Sequence, residues 1–215
     1  IGPRPVTPIL LNGLQKLEYR GYDSAGVAVI ESERIAVVKT VGKLCNLEEK
    51  LKKYLPQGHV GIGHTRWATH GRPSDVNSHP HQGCSEDFAV VHNGIIENYM
   101  ELKEWLIREK GHVFASETDT EVIAHLVEEF YEGDLVAAVR KTLEKVHGSY
   151  AIGVVSVMEP DKLVAARKDS PLIVGLGQGE NFIASDIPAI LNHTRSIYLI
   201  EDGEVVVLGS DRVEI

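Results

Sequence analysis

Cysteine is nearly absent from this chain, with Cys45 and Cys84 the only two. Two thiols build no framework of bridges, and so few of them fit a reducing, cytoplasmic setting. Positive charge is also short: 22 Lys and Arg stand against 31 Asp and Glu, for a formal charge of -9. Phosphate backbones are held by concentrated basic surface, so no nucleic-acid partner is expected. No apolar run approaches the roughly 20 residues that cross a bilayer, and no membrane partner is expected either. The opening stretch IGPRPVTPILLNG is broken by Pro and Asn and carries no small-residue cleavage pattern, which argues against a signal peptide. Gly-rich phosphate loops of the Walker or dinucleotide kind are missing, and the glycine pair in GLGQGEN opens no credible helix. Neither H-E-x-x-H nor C-x-x-C occurs, so no metal and no cofactor is expected.

What is present is ordinary in bulk: 215 residues, 43% hydrophobic and 25% charged, enough for one domain with a sizeable core. Apolar spacing predicts a helix over Pro5 to Tyr19, then a strand pair, Ala25 to Glu31 and Arg34 to Thr40, around a short Ser-Glu turn. A short helix over Leu47 to Leu55 is stopped by Pro56. HVGIGHT and DFAVVHNG read as strands running to polar ends. Three helices follow: Glu97 to Lys110, Thr118 to Tyr131 and Asp134 to Val146, with Gly111, Gly133 and Gly148 as stops. In the middle one Val122, Ile123, Leu126, Val127 and Phe130 form a stripe, and Glu121, Glu128 and Glu129 are expected to face away. The remainder is strand-rich, and Asp202-Gly203 signals a two-residue hairpin. Helices segregated from antiparallel hairpins predict an α+β fold.

Four segments are more polar than their surroundings require: LEYRGYDSAG (Leu17 to Gly26), HTRWATHG (His64 to Gly71) with the following RPSDVNSHPH, HNG (His92 to Gly94) and SETDTE (Ser116 to Glu121). The planar fork of Arg66 matches a carboxylate, although a structural arginine paired with a neighbouring acid is the plainer reading. Asn93-Gly94 suits an oxyanion site, with an amide donor and a backbone N–H that can come close, and it equally suits a turn. Ser116 or Thr118 can cap a helix with an acid three residues on, which leaves Asp119 less specified. His64, His70, His79, His81 and His92 lie within about thirty residues, and His79-Pro80-His81 looks like a metal pair, but three convergent ligands are needed and no recognised motif accompanies them. Cys84 is a candidate thiol nucleophile, set among acids that would raise its pKa.

Taken together and in this order, LEYRGYDSAG, HTRWATHG, HNGIIEN and SETDTEVIAHL resemble the glutaminase domains of the glutamine–fructose-6-phosphate aminotransferases, which are class II glutamine amidotransferases. The resemblance runs through essentially the whole chain. It implies a four-layer αββα sandwich of the N-terminal-nucleophile hydrolase type, and L-glutamine as the substrate. By motif, the Asn93 side chain and Gly94 N–H resemble the oxyanion hole. Arg66 would bind the α-carboxylate of glutamine and Asp119 its α-ammonium. Trp67, Thr69 and His70 would belong to a loop that closes over glutamine, and Arg20 would support the nucleophile end. A zwitterion recognised by one fixed cation and one fixed anion makes the same physical sense without the family.

The family's nucleophile is a cysteine opening a run of the type C-G-I-x-G-x-I-G, and Ile1-Gly2 aligns with the end of that run. About six residues, the nucleophile among them, are expected to precede the sequence given. A chain truly starting at Ile1 would instead be a glutamine-binding module without turnover. The family also implies a covalently linked sugar isomerase domain that receives ammonia through a sequestered route and makes glucosamine 6-phosphate from fructose 6-phosphate.

Overall fold

The computed structural model describes residues 1–21, 23–67 and 70–215. Helix α1, Val6–Leu17, starts behind Pro5, whose φ of -53° is already helical, and buries Val6 and Leu14. Strands β1 (Ser24–Glu31) and β2 (Arg34–Val41) follow, then α2 (Leu44–Lys53) and β3 (Gly61–Arg66). Next come β4 (His81–Gln82), β5 (Phe88–Ile96), α3 (Tyr99–Lys110), α4 (Glu121–Phe130) and α5 (Leu135–Leu143). The last third holds β6 (Gly148–Ser156), β7 (Leu163–Lys168), β8 (Ile173–Leu176), β9 (Asn181–Ala184), β10 (Ser196–Leu199), β11 (Val205–Leu208) and β12 (Val213–Glu214).

Among the described residues the strands form one six-stranded sheet, ordered β12-β11-β7-β6-β5-β4, and two three-stranded sheets, β2-β1-β3 and β10-β8-β9, with every strand-to-strand pairing antiparallel. Period-two alternation explains the layering. On β5 and β6, Phe88, Val90, Ile152 and Val154 pack against α3, α4 and α5, while Ala89, Val91, Ala151 and Val155 pack against the smaller sheets. On β1, Ala28 and Ile30 join that central core, and Ala25 and Val27 face α1 and α2. Helices, sheet, sheets and helices therefore stack as αββα, the architecture the resemblance implies. Each fully buried leucine or isoleucine here, such as Ile123, Leu126 and Leu135, contributes about 1.5–3 kcal/mol.

Several local expectations are corrected. Asp202-Gly203 does not close a hairpin: β10 pairs with β8 and β11 with β7, so the chain crosses between sheets at this turn. Burying Val206 and Leu208 in the main core outweighs the local turn preference, and the Asp202 carboxylate pairs with Arg167 at 2.6 Å. Neither Ser116 nor Thr118 caps α4, whose N-cap, Thr120, makes no side-chain capping bond. Glu121 does not face away. It is buried and accepts the N–H groups of Ala115 and Ser116 at 2.7 and 2.6 Å, satisfying loop amides that burial would otherwise strand. Glu128 also turns inward, onto the N–H groups of Cys84 and Ser85. Gly111, at φ +76°, does end α3, whereas Gly148 opens β6.

Candidate active site

Strand β3 ends on Arg66, and β5 carries Asn93 and Gly94 within its length rather than at its end. Asp119 lies just before the N-cap of α4. These four residues line one cavity of about 270 Å³, which also runs between the edge strands β3 and β9.

Arg66 is almost fully buried. Its Nη2 donates to the carbonyls of His70 and Gly71, and its Nη1 is buried with no hydrogen-bond partner among the described residues. A buried charged donor left bare is costly, and an anion in the cavity would satisfy this arm. Burial lowers the guanidinium pKa, and the nearby Asp119 and Asp23 oppose that shift. Asp119 is buried too. Its Oδ2 accepts the Ile96 N–H at 2.8 Å, and Oδ1 lies 4.0 Å from His70 Nδ1.

The Asn93 amide is oriented by His64, whose Nε2–H donates to Asn93 Oδ1 at 2.9 Å. With the oxygen engaged, the Nδ2 hydrogens are the groups left to donate. Gly94 has φ +133°, and a Cβ there would sit 2.1 Å from the Ser149 carbonyl oxygen, so glycine is required. His64 as the positioner of Asn93 was not foreseen, although both residues sit at polar positions of neighbouring apolar strands.

Among the described residues, the ring nitrogens of His64, His70, His79, His81 and His92 do not converge as a ligand set. His64 and His79 stack at 4.2 Å, and His79 and His81 meet edge-on at 4.8 Å. Each ring also has its own partner: His79 Nδ1 accepts the His92 N–H at 3.4 Å, His92 Nδ1 meets Thr120 Oγ1 at 2.9 Å, and His81 Nε2 meets Thr118 Oγ1 at 3.1 Å. His70 packs edge-on against Tyr99 at 5.3 Å, and Trp67 is exposed. Thr69 lies outside the described residues. Arg20 lines the cavity and reaches Asp186 at 3.4 Å.

Burial lowers the His64 pKa from 6.5 to about 4, and burial likewise lowers those of His79, His81 and His92. A base with a depressed folded-state pKa contributes stability that is fully present above pH 6.5 and is lost as pH falls toward 4. The buried Glu121 has a pKa lowered to about 2 and weakens the fold only below its ordinary 4.5, so the window from 6.5 to 4.5 reports the histidines. The melting temperature is expected to fall steadily across that window, with His64→Gln flattening part of the slope while keeping a donor to Asn93. Equal slopes in the two proteins would show that His64 is not held neutral by the fold.

A four-layer αββα sandwich with a guanidinium, a carboxylate and a carboxamide converging on one cavity is the architecture of the N-terminal-nucleophile amidotransferases. The sequence profile of the glutamine amidotransferase domain matches residues 64–192, and the chain belongs to this family. It is 62% identical over its whole length to the glutamine–fructose-6-phosphate aminotransferase (isomerizing) of Clostridium tetani and 56% identical to that of Thermus thermophilus. It spans about a third, 35%, of the length of each. Among solved structures, the glutamine phosphoribosylpyrophosphate amidotransferase of B. subtilis superposes with a TM-score of 0.85 at 25% identity, over 99% of this chain and 47% of that one.

Proposed function

We propose that the chain hydrolyses the side-chain amide of L-glutamine to glutamate and ammonia, and that in the whole protein the ammonia passes to a linked sugar isomerase domain that converts fructose 6-phosphate to glucosamine 6-phosphate. The observation that carries this reading is the convergence of Arg66, Asp119 and Asn93-Gly94 on one cavity. The bare Nη1 of Arg66 takes the α-carboxylate of glutamine, and Asp119 takes the α-ammonium. Trp67, Thr69 and His70 close over the bound amino acid, and Arg20 supports the nucleophile end.

The nucleophile is a cysteine on an extended segment preceding Ile1. Ile1 N–H donates to the Asn181 carbonyl at 3.0 Å, the Ile1 carbonyl accepts the Asn181 N–H at 2.9 Å, and Gly2 N–H donates to His59 O at 3.2 Å. Residues 1–2 thus already bridge the β9 and β3 sides. About six further residues at ~3.3 Å each span roughly 20 Å, the length of β3 from Gly61 to Arg66. Such a segment carries its first residue to the Arg66 end of the cavity. The thiolate attacks the carboxamide carbon, and the oxyanion is met by Asn93 Nδ2–H and Gly94 N–H. The C–N bond breaks and ammonia leaves with the proton taken from the thiol. Water then cleaves the thioester to glutamate.

Protein carrying that segment is expected to release glutamate from glutamine and to be labelled once per chain, on its N-terminal cysteine, by a glutamine-mimicking electrophile. Cysteine-to-alanine replacement there should abolish both. Labelling of Cys45 or Cys84 instead, or turnover that survives the replacement, would overturn the assignment.

A further inference from the structure

A second cluster of chemistry-bearing side chains lies outside the cavity, where the turn between β4 and β5 meets the end of α3 and the inner face of α4. We propose that Cys84, His112, His125 and Glu128 form a structural zinc site. One potential ligand atom from each lies within 4.8 Å of the others. Cys84 Sγ is 3.7 Å from Nδ1 of both histidines. The two Nδ1 atoms are 2.9 Å apart, and Glu128 Oε2 is 3.7 and 3.8 Å from them. With Zn–N near 2.0–2.1 Å and Zn–S near 2.3 Å, the edges of a tetrahedron are about 3.3–3.6 Å, and these five separations lie within about 0.5 Å of them.

The tautomers provide an independent reason. His112 Nε2 lies 3.3 Å from Glu129 Oε2, and His125 Nε2 lies 3.5 Å from Glu121 Oε1. The carboxylate bonded to His112 Nε2 favours the proton there and turns the His112 Nδ1 lone pair toward His125 Nδ1, 2.9 Å away. Two ring nitrogens this close with a sulfur beside both suit a shared cation, and a carboxylate behind a ligating histidine, as Glu129 is behind His112, is the usual outer shell of a zinc site. The Val113 N–H points at Cys84 Sγ from 3.4 Å and holds the sulfur in place beside the two rings. Glu128 Oε2 also accepts the Cys84 N–H at 2.6 Å, fastening one ligand to the backbone of another.

A thiolate, a carboxylate and two neutral imidazoles balance a divalent ion. One sulfur, two nitrogens and one oxygen select zinc over magnesium or calcium. Four protein ligands leave no open position, so the ion would hold structure rather than activate water. Both histidines are buried while Cys84 is exposed, which gives an ion a way in. None of the four lines the candidate active-site cavity. The site would pin the β4–β5 turn and the loop after α3 to α4, the helix that begins just past Asp119.

Elemental analysis of the purified protein, dialysed after equilibration with micromolar zinc, is expected to give about one zinc per chain. Cys84→Ser and His112→Ala should each lower occupancy at least tenfold, and Cys45→Ser should leave it unchanged. Chelation is expected to cost roughly 5–10 °C of melting temperature, restored by zinc. Cobalt(II) in place of zinc should show a thiolate charge-transfer band and tetrahedral d–d bands. That spectrum needs no variant, so it decides the matter even if Cys84→Ser folds poorly. Substoichiometric zinc with no cobalt thiolate band, or full occupancy in the Cys84→Ser, His112→Ala double variant, would overturn the proposal.

Discussion

Replacing Arg66 with alanine is expected to lower kcat/KM for glutamine by about two to three orders of magnitude. Removing one partner of a buried charge pair costs on the order of 2–5 kcal/mol, much of it from the charge left unpaired, here the substrate carboxylate. Because the α-carboxylate is held equally in the bound and transition states, most of the loss should appear in KM. Arg66 also holds the carbonyls of His70 and Gly71, so part of the effect would come from loosening that stretch of backbone. Arg66→Lys separates the two contributions. It keeps the charge but loses the fork, and an intermediate loss is expected. Steady-state kinetics on both variants, with melting curves as a control for folding, measure this. A kcat/KM for Arg66→Ala within fivefold of the parent would remove Arg66 from the substrate site.

Asn93→Ala is expected to act on the other kinetic parameter, lowering kcat by about 10²–10³ with KM little changed. An oxyanion donor acts mainly as charge develops, and losing one costs roughly 2.7–4 kcal/mol of transition-state stabilisation. The geometry supports this split, since His64 occupies Oδ1 and leaves Nδ2 to donate, while Gly94 follows in a conformation only glycine tolerates. Asn93→Asp should be at least as damaging, because it places a negative charge where the oxyanion forms. A variant that folds normally and shows unchanged kcat but raised KM would reassign Asn93 to ground-state binding.

The site was more legible in the sequence than the fold around it. Arg66, Asn93-Gly94 and Asp119 each had a plain structural reading taken singly, and they stood out only because four polar segments in one order resemble one family. The structure brings all of them to one cavity. The α4 stripe was legible from period, and Val122, Ile123, Leu126 and Val127 are buried as that period requires. The acids on the same helix were not. Glu121 and Glu128 look like a solvated face in one dimension, yet both turn back to bind amides of distant loops. The histidines misled in the same way. Closeness along the chain grouped His64, His70, His79, His81 and His92, whereas the cluster whose ligand atoms converge joins Cys84 to partners 28 and 41 residues away.

By itself, then, the sequence determined the α+β class and the segregation of helices from strands, while the roles given to Arg66, Asn93-Gly94 and Asp119 rest on the resemblance of four ordered motifs to a family. Class and segregation follow from local periodicity and side-chain chemistry. Only the tertiary structure decided that β10 and β11 part into different sheets, that His64 sets the Asn93 amide, and that Cys84 meets His112, His125 and Glu128. The physical reason is that each of these depends on which buried surfaces are pressed together. Core packing settles that by total area and shape, and no short stretch of residues encodes it.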